Sequence, residues 1–505
     1  MKKLLFPALA ILAWVVSACS QKTEYTNAIP AKAETVIAIQ PAALADKAGL
    51  DETSLQKLKG LLKKDTDASM QEYLETLLND PAQSGIDFES PLYLFNIQSL
   101  LKNGFIAVAK VSDEANVQTL VNALQEQGLV SGTTPADGYT LTEGKLLMAY
   151  NASTLLMLGA QEGPQVAALK DSIAVWIQQT AEQSYSSKPA FKQMQEQKGD
   201  IKAVLPYTAI PSSYAQSYGI PQDLPLKDIS FIAALSFEKG SIDLHLAPYT
   251  ENADLKTFLE KQAQAAQPIK NTFIDYFPQS SLALLSTGMN GAALYEQLLE
   301  NTAMGNDLSA KEAESMKAIF GMFENDLTVG LVNWSLNQSP AILAYATVKD
   351  AAPLKKLNDP ALLRRLPGKG KLMELGEDQY VWHSGRESLF FGVRDRQFYA
   401  TNDELLYKDI FKKCDPSAAE TAYADGMKSK KMSIVLNIEA VSELPVVKML
   451  LGLGGAKTAP YKAILDGISY LKSESDGTQG TISLQLKDKD TNALKQIAEL
   501  GKGII

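Results

Sequence analysis

The sequence is poor in histidine and cysteine, with two of each among its 505 residues. Protein zinc sites take most of their ligands from these two residue types, so the composition does not support a His- or Cys-rich metal centre. An excess of positive charge is also missing, because 48 Lys+Arg stand against 58 Asp+Glu and leave a net charge of −10. Proteins that bind nucleic acid by displacing counterions carry the opposite balance. The composition therefore predicts no nucleic-acid partner.

The amino terminus has an apolar run that is too short to cross a bilayer. Two lysines precede the run Leu4–Val16, and a membrane-spanning helix needs about 20 apolar residues. A basic start, a short apolar run and small residues at its end are typical of a signal peptide. The end of the run, Val16-Ser17-Ala18-Cys19, resembles the lipobox of bacterial lipoproteins. That resemblance implies a signal peptide over residues 1–19, cleavage before Cys19, and a membrane anchor formed by acylation of its thiol.

The residues after the cysteine predict where such a lipoprotein would be found. Ser20 stands where an aspartate would retain a lipoprotein in the inner membrane, which favours the outer membrane and leaves its periplasmic and outer faces as alternatives. Residues 20–28 form a short polar tether. Cleavage removes two lysines and changes the net charge from −10 to −12. Cys414 is then the only free thiol, so no intramolecular disulfide is predicted. The sequence around Cys414 favours an unreactive thiol over a nucleophile.

The same order of strand and helix patterns occurs twice along the chain. The offsets between matching segments lie between 231 residues and 248 residues, the latter for Ile29-Pro30 with Phe277-Pro278. Each match is weak alone, but their conserved order predicts an internal duplication. The matched segments are Val36–Ile39 with Leu282–Leu285, Leu92–Asn96 with Leu327–Leu331, Phe105–Ala109 with Ala341–Tyr345, Ala203–Leu205 with Ile434–Leu436, and Ile242–Leu246 with Ile482–Leu486.

The periodicity of these segments predicts the fold class. Paired strands with alternating apolar residues, separated by amphipathic helices, indicate an α+β fold with largely antiparallel sheets. Helices are expected to cover one face of each sheet. Residues 29–268 and 272–505 are the two predicted halves, and the polar stretch 264–270, which contains Pro268, separates them.

Candidate catalytic and ligand-binding residues are scattered along the sequence. His245 alternates with apolar residues in a strand pattern, and His383 lies in another; neither has a neighbour at metal-ligand or triad spacing. No catalytic, metal or cofactor-binding residue is predicted, and no cofactor. Trp334 and Trp382 are candidate sugar platforms near strand ends. An envelope hydrolase whose site is assembled from distant residues, with carbohydrate as a candidate substrate, therefore stays an alternative.

Several short motifs in the first third of the chain resemble a known family. They are Ile29-Pro30-Ala31, Asn79-Asp80-Pro81, Gly85-Ile86-Asp87 and Pro91-Leu92-Tyr93-Leu94-Phe95. They are similar to the lipoproteins of domain-of-unknown-function family 4836, which are exported and have no assigned activity. The resemblance implies an envelope location and supplies no catalytic residues. Together with the lipobox it favours a lipid-anchored binding protein, whose partner is an envelope protein or a glycan.

Overall fold

The structure is a computed structural model that divides the chain into two compact units. It describes residues 24–49, 75–77, 79–98, 104–159, 165–209, 225–301, 309–336, 338–363, 370–385, 387–453, 455 and 458–501. The first unit holds the chain up to residue 46 together with residues 50–196. The second holds residues 47–49 and the chain from residue 197 onward.

Strands and helices follow one another along both units. The strands are β1 Thr35–Ile39, β2 Leu92–Asn96, β3 Ile106–Lys110, β4 Val130–Ala136, β5 Tyr139–Gly144, β6 Leu146–Tyr150, β7 Thr154–Gly159, β8 Ile201–Pro206, β9 Ser230–Glu238, β10 Ser241–Tyr249, β11 Ala266–Gln267, β12 Ala283–Asn290, β13 Phe323–Ser335, β14 Gln338–Val348, β15 Lys371–Gly376, β16 Gln379–Ser384, β17 Glu387–Arg394, β18 Gln397–Thr401, β19 Met432–Leu436, β20 Ile468–Ser475 and β21 Gly480–Leu486. The helices are α1 Pro41–Ala48, α2 Glu114–Glu126, α3 Gln165–Trp176, α4 Pro189–Glu196, α5 Ala253–Ala265, α6 Gly291–Asn301, α7 Ala310–Met322, α8 Pro360–Leu363, α9 Glu404–Lys408, α10 Ala424–Met427, α11 Ile438–Glu443, α12 Pro445–Leu453, α13 Ala459–Gly467 and α14 Ala493–Gly501.

In the first unit, antiparallel strands pair in the order β1-β2-β3-β7-β6-β5-β4. Helix α2 begins after Asp113, whose side chain accepts hydrogen bonds from the backbone N–H groups of two residues in its first turn, as N-cap residues do. The buried Val117 and Val121 of this helix pack in a core with Met148 and Tyr150 of β6. Their spacing of four residues places both on one helix face.

In the second unit, two runs of antiparallel strands extend from β12. One run is β12-β13-β14-β18-β17-β16-β15. The other is β12-β19-β20-β21-β10-β9-β8. Helices lie between the strands in the sequence, so the predicted class, helices mixed with antiparallel sheet, is confirmed.

The main core of the second unit is rich in aromatic side chains. Phe277 and Tyr345 are almost completely buried, and their rings meet edge to face with centroids 5.7 Å apart. The Tyr345 hydroxyl donates a hydrogen bond of 2.6 Å to the Ile410 carbonyl, which satisfies the one polar atom that this ring carries into the core. Tyr423 and Met427 belong to the same core. Tyr423 of this core also lines the candidate site described below.

The boundary between the two units does not coincide with the boundary between the two predicted halves. Strands β8–β10 belong to the second unit, in which β10 pairs with β21. The division into halves at residues 268 and 272 stays a prediction. Among the described residues, no helix is both long and apolar enough to cross a membrane.

Candidate functional site

A cavity of about 830 Å³ opens in the second unit. This volume lies within the range of small-molecule sites in proteins. Among the described residues, its lining combines three carboxylates, two tyrosines, side-chain amides and hydroxyls, and apolar side chains, without a Lys, Arg or His. The lining residues are Gln279, Ser280, Leu282, Val332, Asn333, Glu420, Thr421, Ala422, Tyr423, Asn437, Glu439, Ala440, Glu443, Leu444, Pro445, Ser469 and Tyr470.

One wall of the cavity is helix α11, which Asn437 holds in place. The Asn437 side chain accepts a hydrogen bond of 3.0 Å from the Ala440 N–H, and so caps the helix. Its amide group also donates to the Gln279 carbonyl at 3.3 Å. Because Asn437 follows β19 directly, the helix cap ties the end of that strand to the turn before β12. Glu439 and Glu443 are four residues apart and therefore lie on the same face of α11.

Another part of the lining is the loop that follows a short 3-10 helix, Ala418–Glu420. Ser417 and Glu420 form a capping box, in which the Glu420 carboxylate accepts a hydrogen bond of 2.9 Å from the Ser417 N–H. A capping box satisfies backbone donors that the helix leaves free. The loop then continues through Thr421 and Ala422 along the cavity. Glu420 is thus fixed at the cavity by the cap that it forms.

The carboxylates give the cavity a negative rim. Glu439 and Glu443 are exposed, and their nearest cations are Lys487 at 3.7 Å and Lys448 at 2.5 Å. The hydrogen bond from Lys448 lowers the pKa of Glu443 below its usual value. Exposed ion pairs of this kind contribute little to stability. Glu443 therefore stays ionised at neutral pH, and both carboxylates can exchange their present partner for another cation.

Two tyrosines, Tyr423 and Tyr470, line the cavity. The rings of Tyr423 and Tyr470 meet edge to face, with centroids 5.4 Å apart. Burial raises the pKa of both phenols above the usual value, so both are neutral at physiological pH. Tyr423 is 3% exposed and its hydroxyl is buried. A hydrogen bond with the Thr421 side chain partly offsets the rise in the pKa of Tyr423.

Ser433 of β19 forms a buried polar cluster with Lys472 and Glu474 of β20. Lys472 and Glu474 follow Tyr470 at intervals of two residues on β20, so all three side chains share one face of the sheet. The Lys472 ammonium lies 3.1 Å from one Glu474 oxygen, and their side chains are 14% and 10% exposed. Ser433 faces Glu474 across the strand pair. Its hydroxyl and the second Glu474 oxygen lack partners among the described residues.

A second cavity of about 560 Å³ adjoins the first and shares Gln279 and Ser280 with it. Cys414 lines this second cavity and its thiol donates a hydrogen bond of 3.3 Å to the Tyr276 carbonyl. Burial raises the pKa of the Cys414 thiol. A raised pKa keeps the thiol protonated and therefore weakly nucleophilic.

Of the residues that the sequence singled out, those within the described part of the chain are not among the lining residues of the first cavity. Cys19 lies outside the described residues. His245 and His383 are exposed, and each meets a hydroxyl on a neighbouring strand, Thr481 at 2.9 Å and Ser388 at 2.7 Å. That neither histidine is catalytic stays a prediction.

The two tryptophans proposed as sugar platforms differ in exposure. Trp334 is 40% exposed, whereas Trp382 is 7% exposed and packs in a core with Tyr380 and Phe391. The interpretation of Trp382 as a sugar platform is therefore wrong, because its ring faces are covered by apolar side chains.

Sequence reasoning missed the residues that form the cavity. Its lining comes from five stretches between residues 279 and 470, and no short motif contains them. One local signal was available. Tyr470, Lys472 and Glu474 alternate with less polar residues in β20, so a strand with two charged residues on its inner face could have been inferred.

The described residues form an antiparallel α+β fold with a cavity lined by carboxylates and tyrosines. The family model described as "Domain of unknown function (DUF4836)" matches residues 25–494. The match covers nearly the whole chain, and the protein belongs to this family. No curated protein matches the sequence.

Solved structures with a detectable likeness include two crystal forms of TP0453. Crystal form I is 11% identical, with a TM-score of 0.27, and the match covers 50% of this chain and 88% of that chain. Crystal form IV is 10% identical, also with a TM-score of 0.27, and the match covers 45% of this chain and 81% of that chain.

Proposed function

We propose that this protein is a lipid-anchored binding protein of the bacterial cell envelope and that its ligand occupies the 830 Å³ cavity. The observation that carries the proposal is the composition of that cavity. Three carboxylates, those of Glu420, Glu439 and Glu443, line it together with Tyr423 and Tyr470. A built concave site with a few converging polar groups is the usual form of a ligand site.

The anchor and the location rest on the amino terminus. Val16-Ser17-Ala18-Cys19 closes a short apolar run, which supports cleavage before Cys19 and acylation of its thiol. Ser20 supports an outer-membrane destination. In this setting the ligand comes from the envelope, as part of a protein or a glycan.

We also propose that the chain is an internal duplication, with halves at 29–268 and 272–505. The strand pairings support it. Val36 faces Phe95 on the β1–β2 pair, and Leu284 faces Gly330 on the β12–β13 pair. The order β1-β2-β3-β7-β6-β5-β4 has the same form as β12-β13-β14-β18-β17-β16-β15. The meanders β8-β9-β10 and β19-β20-β21 also correspond.

The turns that enter the first strand of each half support the same proposal. Pro30 forms an isolated bridge with Ser184, and Pro278 forms one with Ser417. The Ala31 N–H donates to the Gln183 carbonyl at 3.2 Å, and the Gln279 N–H donates to the Pro416 carbonyl at 3.2 Å. Such long-range contacts are unlike the local patterns that any strand and helix share, so their recurrence favours common descent of the halves.

The binding function can be tested by filling the cavity. Ala422 lines the cavity and is exposed, so Ala422→Trp is expected to block it without disturbing the core. The matched control is Ala310→Trp at the exposed start of α7. Native mass spectrometry of protein purified gently from envelope extracts should show a bound small molecule or peptide on the parent chain and on the control.

The Ala422→Trp chain should lack that bound mass while keeping the circular dichroism spectrum of the parent. If the parent carries no bound mass, or if Ala422→Trp keeps it, the cavity is not the ligand site and the proposed function is wrong.

A further inference from the structure

We infer that the apolar tip of one helical hairpin binds the surface of a phospholipid bilayer. The hairpin consists of α12 and α13, which contact each other, and its tip carries Met449, Leu450, Leu453 and Tyr461. These four residues do not line the cavity of the proposed function. The inferred contact is therefore separate from ligand binding and additional to acylation of Cys19.

The large apolar residues of the hairpin become more exposed from its base to its tip. On α12, Val446 is 5% exposed, whereas Leu450 is 59% and Leu453 is 78% exposed. Met449 shares the exposed face with Leu453, because the two are four residues apart. On α13, Tyr461 is 65% exposed. Large apolar side chains that gather on one exposed surface mark an interaction site.

The hairpin is held in shape at its base and near its tip. At the base, Val446 packs in a core with Leu282 and Leu444. Near the tip, the Thr458 hydroxyl donates a hydrogen bond of 2.5 Å to the Leu451 carbonyl and so links the end of α12 to the start of α13. Helix α12 has nine residues and is about 14 Å long, less than half of a hydrocarbon core of about 30 Å. A hairpin of this length can lie in the interface of a bilayer but cannot cross it.

The charge pattern of the hairpin favours a bilayer over a protein as its partner. The sequence from Leu444 to Leu465 contains no Asp or Glu, although the chain as a whole is acidic. Lys448 and Lys462 are exposed within this stretch. Interfacial helices combine an apolar face with lysines, whose ammonium groups are attracted to anionic lipid head groups. An exposed tyrosine such as Tyr461 is also typical of the bilayer interface.

The carboxylates that flank this stretch in the sequence lie at the base of the hairpin. Glu443 precedes α12 and pairs with Lys448. Asp466 lies in the last turn of α13, which leads directly into β20. Both residues therefore stand at the end of the hairpin that joins the rest of the fold, away from the tip. The exposed pair with Glu443 is weak, so Lys448 can leave it for a lipid phosphate.

Vesicle flotation of the chain from Ser20 onward tests the inference. This chain keeps every described residue and has neither a signal peptide nor an acyl group, so vesicles of phosphatidylethanolamine and phosphatidylglycerol should bind it through the hairpin. Leu450→Asp with Leu453→Asp should weaken binding by at least about tenfold, because charge then enters the apolar tip. The control is Leu336→Asp with Leu405→Asp, at leucines 62% and 72% exposed outside the hairpin. It should weaken binding by less than about threefold.

A lysine pair tests the electrostatic part. Lys448→Gln with Lys462→Gln should weaken binding to the anionic vesicles by about tenfold, and binding to phosphatidylcholine vesicles by less than about twofold. The control, Lys355→Gln with Lys408→Gln, removes the same charge from exposed lysines outside the hairpin. It should change binding to either kind of vesicle by less than about twofold.

Failure of the parent chain to bind anionic vesicles, or equal losses in the two leucine double variants, would overturn the inference. Leu450→Ser with Leu453→Ser adds no charge and should also weaken binding, with the circular dichroism spectrum of the parent. Sedimentation equilibrium without vesicles tests a second copy as the occupant of the tip. A parent dimer that Leu450→Asp with Leu453→Asp converts to a monomer would make the tip an interface between copies, and the inference would be wrong.

The bound mass that Ala422→Trp should remove is a separate measurement, because the tip residues are outside the cavity lining. Loss of vesicle binding with that mass retained would refute the membrane contact and leave the proposed function standing. Vesicle binding by a chain without a bound mass would do the reverse.

Discussion

Individual charged and polar side chains around β20 are buried to an unusual degree. The Lys472–Glu474 pair is almost closed to solvent, and a Cβ added at Gly426 would lie 2.5 Å from the Lys472 nitrogen. A side chain at this position would therefore require the Lys472 ammonium to move. Buried pairs contribute little net stability, but removing one partner leaves an uncompensated charge.

Lys472→Met is accordingly expected to lower the free energy of unfolding by about 3 kcal/mol. The Glu474 carboxylate would then be buried without its cation. The double variant Lys472→Met with Glu474→Leu should recover most of that loss, because no charge stays buried. Urea denaturation of the three chains measures both effects. A single variant as stable as the parent would show that the pair is solvated in solution.

Asp476 forms the turn between β20 and β21 and predicts a pH dependence of stability. Burial alone would raise the pKa of Asp476, but hydrogen bonds from the Gln479 and Thr478 N–H groups outweigh it and lower the pKa to about 2. A carboxyl whose folded pKa is depressed stabilises the fold above its unfolded pKa of 3.8, and this contribution is lost as the pH falls from about 4 to 2.

Asp476→Asn should therefore destabilise the protein at pH 6 by about 1 kcal/mol, after allowance for solvent screening. The difference from the parent should shrink as the pH falls towards 2. Urea unfolding at pH 6, 4 and 2.5 measures it. A difference that stays constant over this range would contradict the assignment of the effect to ionisation of Asp476.

At the scale of elements, the strands could be predicted and the cavity could not. The apolar alternation of Ile242 to Leu246 and of Ile482 to Leu486 indicated strands that are now β10 and β21, because side-chain period follows directly from strand geometry. The cavity depends on which loops meet. Asn437 and Gln279 are bonded across 158 residues, a contact that no local pattern specifies.

The packing of β13 against the turn before β12 gives an element-scale prediction. A Cβ at Gly330 would approach the Phe277 ring to 2.5 Å, and both Phe277 and Ile29, its counterpart in the proposed first half, are fully buried. Gly330→Ala should cost about 1–3 kcal/mol through overpacking. Adding Phe277→Ile should make room, so that the double variant is more stable than the sum of the single effects by about 1 kcal/mol.

Thermal and urea unfolding of the parent, the two single variants and the double variant measures this double-mutant cycle. Gly321→Ala is the matched control, because a Cβ there meets no atom within 4 Å. In the α7 helix it should stabilise the protein by about 0.5–1 kcal/mol. Additive effects of Gly330→Ala and Phe277→Ile would show that the two positions are not coupled.

At the scale of the whole molecule, the proposed attachment to the membrane depends on Cys19, which lies outside the described part of the chain. Acylated Cys19 would hold the protein at the envelope, since each buried CH₂ group of an acyl chain contributes about 0.8 kcal/mol. Labelling of cells with an alkyne fatty acid should mark the parent chain. Cys19→Ala should lose the label, whereas Cys414→Ala, the matched control, should keep it. Label retained after Cys19→Ala would contradict the anchor.

The pairing of β10 with β21 has a consequence for the choice of partner strand. Asp243 lies opposite Ser483, with Ile242 opposite Leu484 and Leu244 opposite Ile482, and the Ser483 hydroxyl donates to the Asp243 carboxylate at 2.5 Å. If β10 met the β10 of another copy in this register, two aspartates would face each other, and like charges directly opposite destabilise a strand pair. The difference between Asp243 and Ser483 thus disfavours self-recognition by β10 and directs this edge towards β21.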